Sequence, residues 1–264
     1  FIGGKMGFSD LHIHSVHSYD GTASIPAILK YASDVAELNV IAITDHDTMS
    51  GVPEALDLAP KYNLEVIPGC EVASRDGHVL CLFIRRPIPA GLSLLETVLR
   101  TGEQGGICIA AHPMAKGVNS LRFSTIRETL ENKEAANILV GVEAYNGGLV
   151  YTRRNTMVQS QSEELPLAQL GNSDSHILRM IGQGSSWFEG KTARDLRRAI
   201  LNRETTPRFG NGLTGAAVLT SYIPNYLMRK MGWVSWNASP EESIRFANLS
   251  KIQAVNHMTQ FSQS

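Results

Sequence analysis

The feature that most constrains this chain is the alternation of short β-rich runs with stretches of helical spacing. Strand candidates are Phe8–His14, Val40–Thr44, Leu64–Pro68, His78–Ile84, Gly106–Ala111, Leu139–Tyr145 and Leu165–Gly171. A helix is predicted from Ile25, where Ser24 offers an N-cap and Pro26 fits the first turn. Further helical patterns cover Val52–Tyr62, Leu92–Gln104, Leu121–Asn132, Thr152–Glu163 and Thr192–Arg203. This order predicts an α/β fold with a largely parallel sheet. Polar residues close the strands: His12 and His14 the first, His46 the second, Glu71 the third, His112 the fifth, Asp174 and His176 the last, with Glu143 late in the sixth. His78 is the exception, since it begins its strand or hairpin. Ligands at the carboxyl ends of successive parallel strands meet when the sheet closes on itself. A barrel-like α/β domain with a metal centre at one mouth is the expectation.

The spacing inside Asp10-Leu-His-Ile-His14 sharpens it. In a strand, alternate side chains share a face, so His12 and His14 emerge together. Asp174 and His176 repeat the device. Neutral imidazoles bind first-row divalent cations well. One such pair is compatible with ordinary surface histidines. Six of the eight histidines (12, 14, 46, 78, 112 and 176), all beside strand-like segments, are not, because burying so many imidazoles without a shared partner costs too much.

A formal net charge of −1 advertises no broad basic face for nucleic acid. Cys70, Cys81 and Cys108 stand singly among apolar residues, which excludes a disulfide framework and a zinc ribbon and fits a reducing compartment. No apolar run approaches the roughly 20 residues of a spanning helix. A cytoplasmic protein without a membrane span is expected, although Phe1-Ile-Gly-Gly-Lys5 does not read as a natural start and leaves room for a missing leader.

Asp10-Leu-His-Ile-His-Ser15 with Ser18-Tyr-Asp20-Gly21, Ile43-Thr-Asp-His-Asp47, Gly69-Cys-Glu71, Ala111-His112-Pro113 and Ser173-Asp-Ser-His176 resemble the ordered motifs of the PHP (polymerase and histidinol phosphatase) domain family. The resemblance runs from Asp10 to about Gly184. It implies a distorted seven-stranded β/α barrel, (β/α)7, and metal-dependent hydrolysis of phosphate esters. It also implies two or three divalent ions (manganese, zinc or iron). His12, His14 and Asp174 would hold one, with Glu71 bridging to a second that also takes His112 and His78. Asp20, His46 and His176 would hold the third. Some family members carry histidine at the position of Asp20, and the carboxylate makes that shell harder and more anionic. Asp10, Asp45 and Asp47 are expected to orient imidazole N–H groups, Glu143 and Asn146 to support the site, and His17 and His257 to lie at the surface.

Metal-activated hydroxide would attack phosphorus, with Asp174 or His176 relaying a proton. Arg179 is the first choice for a phosphate clamp; Lys116, Arg153 and Arg154 follow. The stretch between Glu71 and His112 holds one strand and one helix, so no large cap covers the mouth. A small phosphomonoester, such as a nucleotide or a sugar or amino-alcohol phosphate, is the leading substrate. An oligonucleotide end trimmed by an exonuclease is the alternative, and a non-catalytic metal-binding module or an amidohydrolase ranks below both. Residues 1–212 are expected to form the barrel and 213–264 a helical extension packed on it. Within that extension Thr214–Met231 reads as an apolar helix and Val234–Ser264 as a last helix with a frayed tail; no protein partner can be named.

Overall fold

The structure, a computed structural model, describes residues 5–115, 119–148, 155–210, 215–231, 233–234 and 245–246. Nine strands form one sheet: β1 (Met6–Ile13), β2 (Val40–Ile43), β3 (Glu65–Ser74), β4 (Gly77–Leu82), β5 (Ile107–Ala110), β6 (Leu139–Asn146), β7 (Ala168–Asn172), β8 (Gly184–Glu189) and β9 (Thr206–Phe209). Their spatial order is β7-β6-β5-β4-β3-β2-β1-β8-β9. The β1–β2–β3 and β5–β6–β7 ladders are parallel, while β4 runs antiparallel to both its neighbours. The β3–β4 hairpin is what brings His78, at the start of β4, beside the end of β3.

Strand β8 was not expected from the sequence, whereas β9 lies in the stretch up to residue 212 that was expected to finish the barrel. Gly184-Ser-Ser-Trp-Phe-Glu189 lacks the apolar alternation that marks a half-buried strand. Ser186 instead uses its hydroxyl, donating to the Gly171 carbonyl and accepting from the Gly171 N–H at 3.0 Å each. Gly184 sits so close to the Asn172 carbonyl that a Cβ would collide with it. The barrel closes at its carboxyl mouth, where Ile13 bridges Ser175 in parallel and His14 N donates to Ser175 O at 2.9 Å. Asp10 reinforces the seam: its carboxylate accepts from the backbone of Ser173 and Gly182, both at 3.0 Å.

Helices α1 (Ile25–Asp34), α2 (Val52–Leu58), α3 (Leu94–Gly102), α4 (Phe123–Leu130), α5 (Asn155–Glu163) and α6 (Ala193–Asn202) follow the predicted patterns. Ser24 caps α1 through the Ala27 N–H, and Ser93/Glu96 and Thr192/Asp195 form capping boxes on α3 and α6. Beyond Leu58 the expected helix tightens into a 3-10 turn, Ala59–Tyr62, that ends on Asn63 in the left-handed region. Along β2, Val40 and Ala42 pack into a cluster with Leu80, Leu82, Ile107 and Ile109, while Ile41 and Ile43 pack against α1. Each buried Val, Leu or Ile among them contributes roughly 1.5–3 kcal/mol. The three cysteines are free and buried.

After the barrel, α7 (Gly215–Lys230) carries Pro224 in its interior. Trp233–Val234 and Arg245–Phe246 pair as a two-stranded antiparallel ribbon, β10 and β11, where a helix was expected. The rest of Val234–Ser264, His257 included, lies outside the described residues.

Candidate metal centre

Strand β1 delivers His12 and His14 through an irregularity. Its ladder with β2 shifts register between Asp10 and Ile13, so that Leu11 joins the cluster around Leu80 while Ile13 packs against α1. The two imidazoles lie in the mouth, their Nε2 atoms buried and without a hydrogen bond. Each is 3.3 Å from Asp174 Oδ1, and they are 3.3 and 3.4 Å from Glu71 Oε2. Metal–ligand bonds of about 2.0–2.1 Å in a regular tetrahedron place donors about 3.3–3.4 Å apart. These four spacings are compatible with donors around a small cation, and the orphaned nitrogens fit a metal.

Glu71 faces two groups at once. Its second oxygen, Oε1, lies 2.9 Å from His78 Nδ1 and 3.0 Å from His112 Nε2, which are 3.4 Å from each other. A third group forms on the loop after β1, where Asp20 Oδ2 is 3.3 Å from His46 Nε2 and 3.1 Å from His176 Nε2. His46 also brings its Nδ1 to 2.9 Å from Glu71 Oε2. The structure therefore brings together all nine residues expected as ligands: His12, His14, Asp20, His46, Glu71, His78, His112, Asp174 and His176. Two of them hold positive φ, His112 at 29° and Asp174 at 51°. Such backbone costs on the order of 1–3 kcal/mol each and persists only where the surroundings impose it.

Glu143 is the supporting carboxylate. Oε1 accepts from His12 Nδ1 and Asn172 Nδ2, both at 2.8 Å, and Oε2 accepts from the His112 N–H at 2.7 Å and Asn146 Nδ2 at 3.1 Å. With a cation bound between Glu71 and Asp174, a proton held on His12 Nδ1 would leave the Nε2 lone pair free to ligate it. Asp10, Asp45 and Asp47 do not orient imidazoles as expected; they accept from backbone N–H groups and a serine hydroxyl. Asp45 accepts from the Ser15 N–H and hydroxyl, Asp47 from the Ala73 N–H, and Asp10 from backbone along the barrel seam. They hold the loops that carry the ligands. His17 is also more buried than expected, its side chain 11% exposed beside Glu54.

Four acidic side chains packed among imidazoles give the site a strong demand for positive charge. Burial opposes a charge on His12, yet Asp174, Glu71 and Glu143 outweigh it and raise its pKa. Against burial again, hydrogen bonds to Asp20 and Glu71 push His46 up to about 10. His14 falls to about 4 through burial and the neighbouring His176 charge. Burial would raise Asp174, Glu71 and Asp20, but their histidine partners hold all three below the usual carboxylate range. Protons on the histidines balance the carboxylates here, and divalent cations can replace them.

Of the expected phosphate contacts, Arg179 is exposed on the 3-10 turn Leu178–Met180, where its charge reaches Tyr31 of α1. Lys116, Arg153 and Arg154 lie outside the described residues. Two neighbours of the site were missed at the sequence level, Tyr222 and Arg229 of α7. Tyr222 Oη donates to the Asp20 carbonyl at 3.3 Å, and Arg229 donates to the carbonyls of Val16, Ser18 and Tyr19. The one available signal was the spacing of Tyr222, Tyr226 and Lys230, which places them on one face of a helix.

The sequence profile of the PHP domain matches residues 10–206. An uncharacterized protein of Methanocaldococcus jannaschii is 33% identical over 172 residues, 60% of this chain and 93% of that protein. A 5′-3′ exoribonuclease of Haemophilus influenzae is 27% identical over 195 residues, 72% of this chain and 62% of the enzyme. Among solved structures, a two-domain protein from Bacteroides vulgatus containing a predicted PHP-like metal-dependent phosphoesterase superposes with a TM-score of 0.62 at 19% identity, over 79% of this chain and 66% of that one.

Proposed function

The chain belongs to the PHP domain family of metal-dependent phosphoesterases, and from that premise we propose that it hydrolyses small phosphate monoesters at a centre of two or three divalent ions. The observation that carries this reading is Glu71, whose two oxygens each face a separate set of imidazole nitrogens. On this reading His12, His14 and Asp174 hold one ion, His78 and His112 a second, and Asp20, His46 and His176 the third, with Glu71 shared between the first two. Manganese, zinc or iron suits this mixture of imidazole and carboxylate. Bound ions would neutralise phosphoryl oxygens and lower the pKa of water to near neutrality.

The chain's own groups do the rest. Glu143 holds the proton of His12 on Nδ1. Asn146 donates to Glu143 at 3.1 Å and reaches Asp174 Oδ2 at 3.4 Å, tying two carboxylates to one amide. His176, the most open of the nine at 23%, keeps Nδ1 on the Asp174 carbonyl at 2.9 Å and so aims Nε2 at the third group, and the proton released by the attacking water is the one the departing ester oxygen takes up. Water adds to phosphorus, the phosphorus–ester oxygen bond breaks, and that oxygen leaves protonated as an alcohol beside free phosphate. Arg179 is proposed to contact the phosphate from the loop that follows His176. Three free, buried cysteines support a reducing, cytoplasmic setting. Among the described residues no helix is long and apolar enough to cross a membrane.

A second reading, removal of nucleotides from an oligonucleotide end, is favoured by the exoribonuclease relative. Elemental analysis of purified protein, with phosphate release assayed on a panel of monoesters beside a short oligonucleotide, separates the two. Two or three equivalents of metal with free phosphate from monoesters are expected. Mononucleotides from the oligomer alone would select the second reading, and no metal with no turnover would overturn both.

A further inference from the structure

Among the described residues, the ligand cluster is most exposed at Asp20 and His176. The side chains of His12, His14, Glu71 and His112 are 0–3% exposed, whereas His78, Asp20 and His176 reach 12, 16 and 23%. Among the described residues the most accessible approach for a phosphate runs past Asp20 and His176, which would leave whatever is esterified to it outside them.

That side is lined by aromatic rings. Tyr19 stacks on His46 with centroids 4.8 Å apart and planes 15° apart, and remains 66% exposed. Tyr222 meets His176 edge-on at 6.4 Å. Tyr226, one turn further along α7, stacks on Tyr222 at 5.6 Å and 20°, and Lys230 Nζ lies 5.2 Å from the Tyr226 ring. The rings are held in place. The Tyr222 hydroxyl is fixed to the Asp20 carbonyl, and Arg229 binds the carbonyls of Val16, Ser18 and Tyr19, so α7 is fastened to the loop that carries both Tyr19 and Asp20. Rigid aromatic faces lose little conformational entropy when a flat ligand stacks on them.

We propose that Tyr19, Tyr222 and Tyr226 form a stacking subsite for a nucleobase, so that the substrate of this centre is a nucleoside phosphate. The inference rests on the phosphoesterase reading above and narrows its substrate class. Base–aromatic stacking tolerates any base, and the Lys230 ammonium suits a further phosphate beyond it. A mononucleotide and the end of a single strand share this chemistry.

The test compares adenosine 5′-monophosphate with ribose 5-phosphate on the manganese-loaded full chain, since the two esters differ only at the base. Stacking predicts a kcat/KM ratio favouring the nucleotide roughly tenfold to a hundredfold. Tyr222→Leu, Tyr226→Leu and the exposed Tyr19→Leu should each move that ratio towards one. Tyr222→Phe, which keeps the ring and loses only the hydroxyl bond to Asp20, should retain it; a purely structural role for Tyr222 predicts the reverse. A ratio near one in the wild type, or an unchanged ratio in all three leucine variants, overturns the subsite while leaving the phosphoesterase intact. Turnover of neither ester with manganese, zinc or iron overturns the phosphoesterase reading and the subsite with it. A 5′-phosphorylated oligonucleotide cleaved faster than the mononucleotide supports the subsite and identifies a strand end; the opposite order supports it and identifies the free nucleotide.

Discussion

Glu143→Gln isolates what the buried carboxylate does for the metal centre, because the substitution keeps shape and volume. Glu143 accepts from four donors, two at each oxygen. A glutamine must put its NH2 against one of these pairs. At the Oε2 position it would oppose the His112 backbone N–H, which cannot turn away, and Asn146, whose own oxygen is engaged by the Gly148 N–H at 2.7 Å. At the Oε1 position it would oppose Asn172, whose oxygen accepts from the Leu11 N–H at 2.9 Å, and His12, the one partner able to adapt. His12 adapts by moving its proton from Nδ1 to Nε2, the atom 3.3 Å from both Glu71 and Asp174. The proton then occupies the lone pair a metal needs. Loss of such a supporting partner costs about 10–100-fold in metal affinity, which is about 1.4–2.8 kcal/mol. Competition against a chromogenic chelator measures it, with urea unfolding of the metal-free protein to show that the fold survives. A variant binding within twofold of wild type would refute the assignment of the His12 tautomer and with it the role given to Glu143.

His12→Ala or Asp174→Ala should abolish turnover while the circular dichroism spectrum stays native, and full activity in either would break the metal-site assignment. Asp10→Ala leaves buried backbone N–H groups of His12, Ser173 and Gly182 without their acceptor and should destabilise the metal-free protein by about 2–4 kcal/mol in urea; a loss under 1 kcal/mol would show that the seam does not depend on it. Because Asp20 and Glu71 raise His46 to about 10, its stabilising charge in the metal-free protein is complete below its ordinary value of 6.5 and fades as pH rises towards 10. A metal competes with that proton, so the gain in Tm on adding manganese should grow between pH 7 and 9, and a flat gain would contradict the coupling. Arg179→Ala should raise KM for a phosphomonoester several-fold with kcat retained, and an unchanged KM would remove Arg179 from the phosphate site.

What the sequence made legible was chemistry that sits next to itself in the chain. His12 with His14, and Asp174 with His176, advertise a site because metal-binding side chains recur at a two-residue interval beside strand-like segments. The helix starts at Ser24, Ser93 and Thr192 are written in the same local way, a capping oxygen three residues before the N–H that it accepts from. Direction was not legible. Asp10, Asp45 and Asp47 have the residue type and proximity expected of carboxylates that orient imidazoles, yet in the fold they hold backbone, and Glu143, 131 residues from His12, takes the imidazole. Nor was β8, whose Ser186 replaces part of a ladder with its hydroxyl and so carries no apolar period.

The contacts of α7 lay furthest from reach. Tyr222 meets Asp20 across 202 residues and Arg229 meets Ser18 across 211, and nothing in the local pattern of Thr214–Met231 says which loop the helix will cover. The profile of the family ends at residue 206, before α7 begins. The motifs that identify the metal centre thus belong to the matched barrel, whereas α7, which closes over the Asp20 loop, is supplied by the segment beyond it. Reactions of this family share the first part. If substrate choice resides in the second, exchanging side chains on the inner face of α7 should change which esters are cleaved without changing how many metal ions the barrel holds.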